Sequence, residues 1–112
     1  MVLDIEMEAE EQRFKQKMNS IINFEISMIE KNKEGLFKLK MKTEFEWQLI
    51  RKRFSVDKFH SALEGNFEDM SSDERKTYEG LARSYRTKIY SMEKACDLAL
   101  EDLKRRQIKY LH

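Results

Sequence analysis

The N-terminal part of the chain carries apolar side chains at alternating steps of three and four. This spacing predicts an amphipathic helix with one apolar stripe. The stripe consists of Phe14, Met18, Ile22, Ile26 and Ile29, with Ile21 and Met28 beside it. Asn32 and Gly35 interrupt the pattern. Because a stripe of this kind has to be covered, we expect a second helix to pack on it.

Two shorter helices are predicted in the middle of the chain. The first follows a cationic stretch at Lys38, Lys40 and Lys42, and it is indicated by Phe45, Leu49, Ile50 and Phe54. It ends near Ser55, which can cap the next helix. The apolar side chains of that next helix are Val56, Phe59, Ala62, Leu63 and Phe67. Gly65 and Asn66 mark its end.

The C-terminal part predicts one long helix. Ser71 and Glu74 have the spacing of a capping box, and acidic residues in the first turn favour the helix dipole. The apolar seam behind this start consists of Tyr78, Leu81, Tyr85, Ile89, Met92, Cys96, Ala99 and Leu103. A helix that continues to about residue 106 would be about 50 Å long. Its far half therefore needs a partner, either the N-terminal stripe or a second copy of the chain.

Composition supports an all-α protein of one domain's length. Among 112 residues, 38% are charged, 40% are hydrophobic, three are Gly and none is Pro, as in long exposed helices. The mean hydropathy is -0.78, and no apolar run reaches the roughly 20 residues of a membrane span. The acidic N-terminus is unlike a signal peptide. A single cysteine, Cys96, favours a reducing compartment.

Charge is distributed in blocks, although the net charge is only +1. Residues 31–58 hold nine basic and four acidic side chains, and residues 83–112 hold eight and four. The segments 1–30 and 59–82 are net acidic. A polyanion could bridge the two basic segments if folding placed them on one surface. Otherwise the blocks are only solvated helix faces.

Catalysis and metal binding are not expected. His60 and His112 lie too far from each other and from Cys96 for the usual metal-ligand spacing. The sequence has no glycine-rich phosphate loop and no nucleophile elbow. We therefore predict a protein that is not an enzyme and that needs no cofactor.

The second half of the sequence resembles the high-mobility-group (HMG) box family. The matching positions are Phe59, Leu63, Phe67, Met70, Ser71, Glu74, Arg75, Tyr78, Ala82 and Arg86. They lie within about residues 55–93. Phe67 stands where the family usually has Trp, and the family's Pro-containing basic strand is replaced by the lysines of Leu36–Lys42. The helical region before the box and the basic tail from Asp102 to Tyr110 are similar, more weakly, to the second box of proteins of the mitochondrial transcription factor A type.

This resemblance implies an L-shaped core of three helices in residues 36–112, with an extended third helix, after an N-terminal helical extension in residues 1–35. It also implies binding to the minor groove of double-stranded DNA, guided by shape and with low sequence specificity. Apolar wedges would then be Val56 and a residue near Phe45. Phosphate contacts would come from Lys38, Lys40, Lys42, Arg51, Lys52, Arg53 and Lys58. The implied location is nuclear, as part of chromatin, or else the mitochondrial matrix.

The alternative is a helical module for protein–protein interaction or assembly that keeps a box-like core. The small net charge and the missing basic strand favour it. Its partner would be another protein or a second copy of the chain, bound through the helical seams as in a coiled coil.

Overall fold

The structure, a computed structural model, describes the backbone of residues 2–111 and the side chains of residues 6–111. It contains four helices: α1 (Val2–Glu34), α2 (Leu36–Arg51), α3 (Val56–Leu63) and α4 (Ser72–Leu111). No strand occurs in the described part of the chain. The predicted all-α class and the long C-terminal helix are therefore confirmed.

The chain divides into two compact units. One unit comprises Met1–Glu34 and Lys94–His112, and the other comprises Gly35–Glu93. We name them the paired-helix unit and the central unit. The first part of α4 thus belongs to the central unit and its last part to the paired-helix unit.

In the paired-helix unit, α1 packs antiparallel on the end of α4 within one chain. Phe14 meets Tyr110 edge to face at 5.9 Å between ring centroids. At the other end, Lys33 Nζ lies 2.7 Å from Asp97 Oδ1. Ile22 is buried in this unit. The predicted stripe of α1 therefore finds its partner in the same chain.

The seam of α4 departs from the prediction after Cys96. The buried residues there are Cys96, Leu100 and Leu103, whereas Ala99 is exposed. Leu100 and Ala99 lie equally far around the helix, about 50° on either side of the midpoint between Cys96 and Leu103. The larger Leu side chain gains more from burial, so it takes the buried position. The choice of Ala99 was therefore wrong.

The central unit has a core of aromatic and small residues. The buried side chains are Phe45, Leu49, Phe59, Ala62, Tyr78 and Ala82, and Leu63 and Phe67 pack against them. Phe59 is fully buried, and its ring centroid lies 5.1 Å from that of Phe45 and 5.6 Å from that of Tyr85. Side chains of α2, α3 and α4 therefore meet in one core.

Two helix boundaries in the central unit differ from the prediction. α2 already begins at Leu36, so the stretch from Lys38 to Lys42 is helical, and Phe54 lies beyond its end. Leu, Lys, Met and Glu are strong helix formers, and no Pro interrupts them. α3 ends at Leu63, so Phe67 lies in the following loop.

The start of α4 is the predicted capping box. The backbone N–H of Glu74 donates to Ser71 Oγ at 3.2 Å. In return, the backbone N–H of Ser71 donates to Glu74 Oε1 at 3.4 Å. Two backbone donors that the first turn cannot satisfy within the helix are thus paired.

Candidate nucleic-acid interface

Three consecutive cations stand at the C-terminal end of α2. Arg51 is the last residue of the helix, Lys52 is its C-cap, and Arg53 follows. All three are exposed. Among the described residues, no carboxylate forms an ion pair with any of them. We name these three residues the α2 cation cluster. Cations at this position also interact favourably with the negative end of the helix dipole.

The backbone of the cluster forms a Schellman turn. The N–H of Phe54 donates to the carbonyl oxygen of Leu49 at 2.9 Å, and the N–H of Arg53 donates to that of Ile50 at 3.1 Å. This pattern places Arg53 in the left-handed conformation, with φ of 63°. Glycine usually occupies this position, because a side chain there costs roughly 1 kcal/mol or more. Arg53 therefore carries a cationic side chain at a position whose backbone conformation favours glycine.

The three lysines of α2 do not form one patch. A helix turns about 100° per residue, so Lys38 and Lys42 lie on one side of α2 and Lys40 on the other. Lys38 Nζ is 3.3 Å from Glu93 Oε1. Lys40 and Lys42 are exposed and have no ion pair in the described part of the chain. The alternating spacing would align all three only in a strand.

Phe45 belongs to the core. It is 8% exposed, and its ring lies 5.4 Å from that of Tyr85. Lys88 Nζ covers the ring at 5.2 Å from its centroid. Burial also raises the pKa of the Tyr85 hydroxyl. Insertion of Phe45 between base pairs would therefore require it to leave these contacts.

Lys58 is paired within the unit. Its ammonium group binds the carboxylate of Glu74, the same residue that completes the capping box of α4. The hydrogen bond from Lys58 lowers the pKa of Glu74, and the hydrogen bond to Glu74 raises the pKa of Lys58. The ion pair thus links α3 to the start of α4. A phosphate group would have to compete with Glu74 for Lys58.

Val56 is the first residue of α3, next to the α2 cation cluster along the chain. Ser55 caps this helix, since its Oγ accepts from the backbone N–H of Lys58 at 3.2 Å. The backbone N–H of Ser55 in turn donates to the hydroxyl oxygen of Tyr78 at 2.9 Å. Val56 itself is half-buried and packs against the core. The hydrogen bonds of Ser55 and the packing of Val56 against the core therefore both hold Val56 in place.

The hydrogen bond from Ser55 to Tyr78 was not predicted from the sequence. A second unpredicted contact is made by Arg86, whose guanidinium donates to the carbonyl oxygen of Leu63 at 2.9 Å, at the end of α3. Arg75 lies over the Phe67 ring at 4.8 Å from its centroid. Several positions of the HMG-box resemblance thus hold α3 and its loop against α4.

The outward face of α2 was also missed. Four large apolar side chains lie there within about 80° of each other around the helix. They are Leu36, Leu39, Trp47 and Ile50. All four are more than half exposed. We name them the α2 stripe. The spacing of these four residues along the sequence is compatible with one face of a helix, so the sequence could have indicated this apolar face.

The described side chains include no group of three or more His, Cys, Asp or Glu residues that could hold a metal ion. Within the described residues, no helix is both long and apolar enough to cross a membrane. Comparison of the sequence with protein-family models, with curated proteins and with solved structures gives no match.

Proposed function

We propose that this protein binds double-stranded DNA as a non-enzymatic, HMG-box-like protein that recognises the backbone and the shape of the duplex. The observation that carries the proposal is the α2 cation cluster. Its three side chains are exposed and have no acidic partner in the described part of the chain. Contacts of lysine and arginine with phosphates supply most of the affinity in binding of this kind, and they carry little sequence information.

The resemblance of residues 55–93 to the HMG box supports the proposal. In that family three helices form an L and bind the minor groove. In this chain the three helices would be α2, α3 and the first part of α4. The core positions on which the resemblance rests are buried or packed against the core. The proposed location is the nucleus, with the mitochondrial matrix as the alternative.

Within this interface we assign the wedge to Val56 and not to Phe45. Val56 lies three residues after Arg53 and is half-buried, whereas Phe45 is held in the aromatic core. A wedge that inserts between base steps unstacks them and bends the duplex, which increases the contact area. Lys40 and Lys42 are secondary candidates for phosphate contacts, and Lys38 and Lys58 contribute less because they are paired.

Binding to linear and four-way-junction DNA, measured by fluorescence anisotropy at several salt concentrations, tests the proposal. Replacing Arg51, Lys52 and Arg53 together by Ala should weaken binding to both DNA forms. It should also flatten the salt dependence by about 2.7 units in slope, because each lost phosphate contact contributes about 0.9. Val56→Ala should reduce the preference for the junction and leave the slope nearly unchanged, since it removes no charge.

A charge-matched control separates this site from general attraction. Lys104, Arg105 and Arg106 are also consecutive cations, but they lie on the last part of α4 in the paired-helix unit. Their replacement by Ala removes the same charge and leaves the α2 cation cluster intact. If both triple variants weaken binding equally, the assignment to the cluster is wrong. If the unmodified protein binds neither DNA form at about 50 mM salt, DNA binding itself is excluded.

The second candidate is an assembly module, and the α2 stripe favours it. Contiguous exposed apolar side chains of this size commonly mark a protein–protein interface. Absence of DNA binding together with self-association or capture of a partner would support this function instead.

A further inference from the structure

The α2 stripe forms a second surface of the central unit, opposite the core. Leu36, Leu39, Trp47 and Ile50 are 58%, 63%, 57% and 53% exposed. The core-facing side chains of the same helix, Phe45 and Leu49, lie about 140° away around it. α2 is therefore apolar on two faces, and its own unit covers only one of them.

We infer that the α2 stripe is the interface of a homodimer in which α2 packs antiparallel on α2 of a second copy. The inference is independent of DNA binding, and it gives the assembly function its partner. Its first basis is the symmetry of the stripe. With Thr43 on a twofold axis, Leu36 stands opposite Ile50 of the second copy, and Leu39 stands opposite its Trp47. Each large side chain thus meets another large side chain.

Thr43 fits the centre of such an interface. It lies within the arc of the stripe, between Leu39 and Trp47. Its hydroxyl donates to the carbonyl oxygen of Leu39 at 2.8 Å, within its own helix. Dimerisation would therefore bury no unpaired hydroxyl donor at the axis, and the small side chain lets the two helices approach closely.

Charge complementarity selects the antiparallel orientation. Lys40 and Glu44 lie on the same flank of the stripe and are exposed. In an antiparallel pair related by a twofold axis, equal flanks face each other. Lys40 then lies within about 3 Å, measured along the helix axis, of Glu44 of the second copy. The symmetry creates this contact twice. In a parallel pair, the flank with Lys40 and Glu44 would face the opposite flank of the second copy. The contact between Lys40 and Glu44 would then be lost.

The size of the stripe suits a weak, reversible dimer. From their exposed fractions, its four side chains offer on the order of 500 Å² per chain, and two chains together about 1,000 Å², near the lower limit for a specific interface. We therefore expect monomer and dimer to exchange at about 10 to 100 µM protein, as in transient complexes of this size.

Trp47 reports directly on the interface. It is the single tryptophan of the chain and is more than half exposed. Sedimentation velocity should show a monomer–dimer equilibrium, and the Trp47 emission should shift to the blue as the dimer forms. Leu39→Glu should weaken association at least tenfold, because it brings a carboxylate against Trp47 of the partner. Leu98→Glu is the matched control, since Leu98 is equally exposed, at 62%, on α4.

A charge-swap cycle tests the orientation. Lys40→Glu and Glu44→Lys should each weaken association about fivefold, and the double variant should restore it, because two symmetric pairs change together. Circular dichroism confirms that each variant is folded. A protein that stays monomeric at a few hundred micromolar, a dimer that tolerates Leu39→Glu, or a double swap without rescue would each overturn the inference. Because the DNA titration uses the α2 cation cluster, its failure and that of the dimer are separate results.

Discussion

Arg53 occupies a position at which the backbone favours glycine, and this makes a sharp prediction. Its φ of 63° places it in the left-handed region, which costs a residue other than Gly about 1 to 2 kcal/mol. Arg53→Gly removes this cost. However, glycine increases the conformational entropy of the unfolded chain, which lowers the free energy of unfolding by about 0.5 to 1 kcal/mol. The variant should therefore be more stable by about 0.5 to 1 kcal/mol.

The end of α3 allows the reverse substitution in a turn of the same type. α3 also ends in a Schellman turn, in which the N–H of Asn66 donates to the carbonyl oxygen of Ser61 at 2.8 Å. Here the left-handed residue is Gly65, with φ of 76°, and a Cβ placed on it would meet no atom within 4 Å. Gly65→Ala should therefore destabilise the protein by about 0.5 to 1 kcal/mol through backbone conformation alone.

Urea unfolding measures both effects, provided that the slope of the transition is unchanged. Opposite shifts of similar size are expected for Arg53→Gly and Gly65→Ala. If the two variants shift in the same direction, the argument from the left-handed turn is refuted. Arg53→Gly should also bind DNA more weakly than the unmodified protein, with a salt slope flatter by about 0.9. Arg53→Lys keeps the charge and should change that slope little. A gain in stability with a loss of binding could not be explained by unfolding.

Three further substitutions test single contacts. Gly80→Ala should stabilise α4 by about 0.5 to 1 kcal/mol in urea unfolding, because a Cβ there meets no atom within 4 Å; a loss of stability would contradict the helical placement. Tyr78→Phe should cost about 1 kcal/mol, since the N–H of Ser55 loses its acceptor while the aromatic ring stays; an unchanged midpoint would mean that the bond contributes nothing. The pKa of Glu74 is lowered below its ordinary 4.5, so its ion pair contributes stability above that pH and loses it as the pH falls through the lowered value. Glu74→Gln keeps a capping-box residue and should make unfolding midpoints less dependent on pH below about 4.5; equal pH profiles would exclude this role.

The sequence was most informative where a local rule and the helical period pointed to the same residues. The capping box at Ser71 and Glu74 predicted the start of α4, because both of its hydrogen bonds are local. Helical spacing also indicated that Phe59 and Tyr78 lie on the apolar faces of their helices, and both are buried in the core.

Boundaries and contacts between distant residues were less predictable. The extent of α2 was underestimated because lysines at alternate positions resemble a strand, although their intrinsic helix propensity is high. The ion pair from Lys38 to Glu93 spans two helices, and no local spacing reveals it. The left-handed conformation of Arg53 was not predicted either, since glycine is the usual signal for such a turn.

The salt dependence of DNA binding should follow the number of Lys and Arg residues at the interface that are not paired with carboxylates. The total number of Lys and Arg residues should not determine it. The chain has 22 Lys and Arg residues, and seven of them were candidates for phosphate contacts, which would give a slope of about 6.3. The structure pairs Lys38 and Lys58 with carboxylates. Lys40 and Lys42 lie on different sides of α2, so one duplex that contacts the α2 cation cluster reaches only one of them.

Three or four phosphate contacts remain, and these correspond to a slope between about 2.7 and 3.6. Anisotropy titrations at several salt concentrations give this number directly for the unmodified protein. A slope of up to about 5.4 is expected instead if DNA displaces the carboxylates of Glu74 and Glu93, and a slope above about 3.6 also follows if cations outside the central unit bind as well. The charge-matched variant of Lys104, Arg105 and Arg106 separates these two cases, because only the second predicts that its slope becomes flatter.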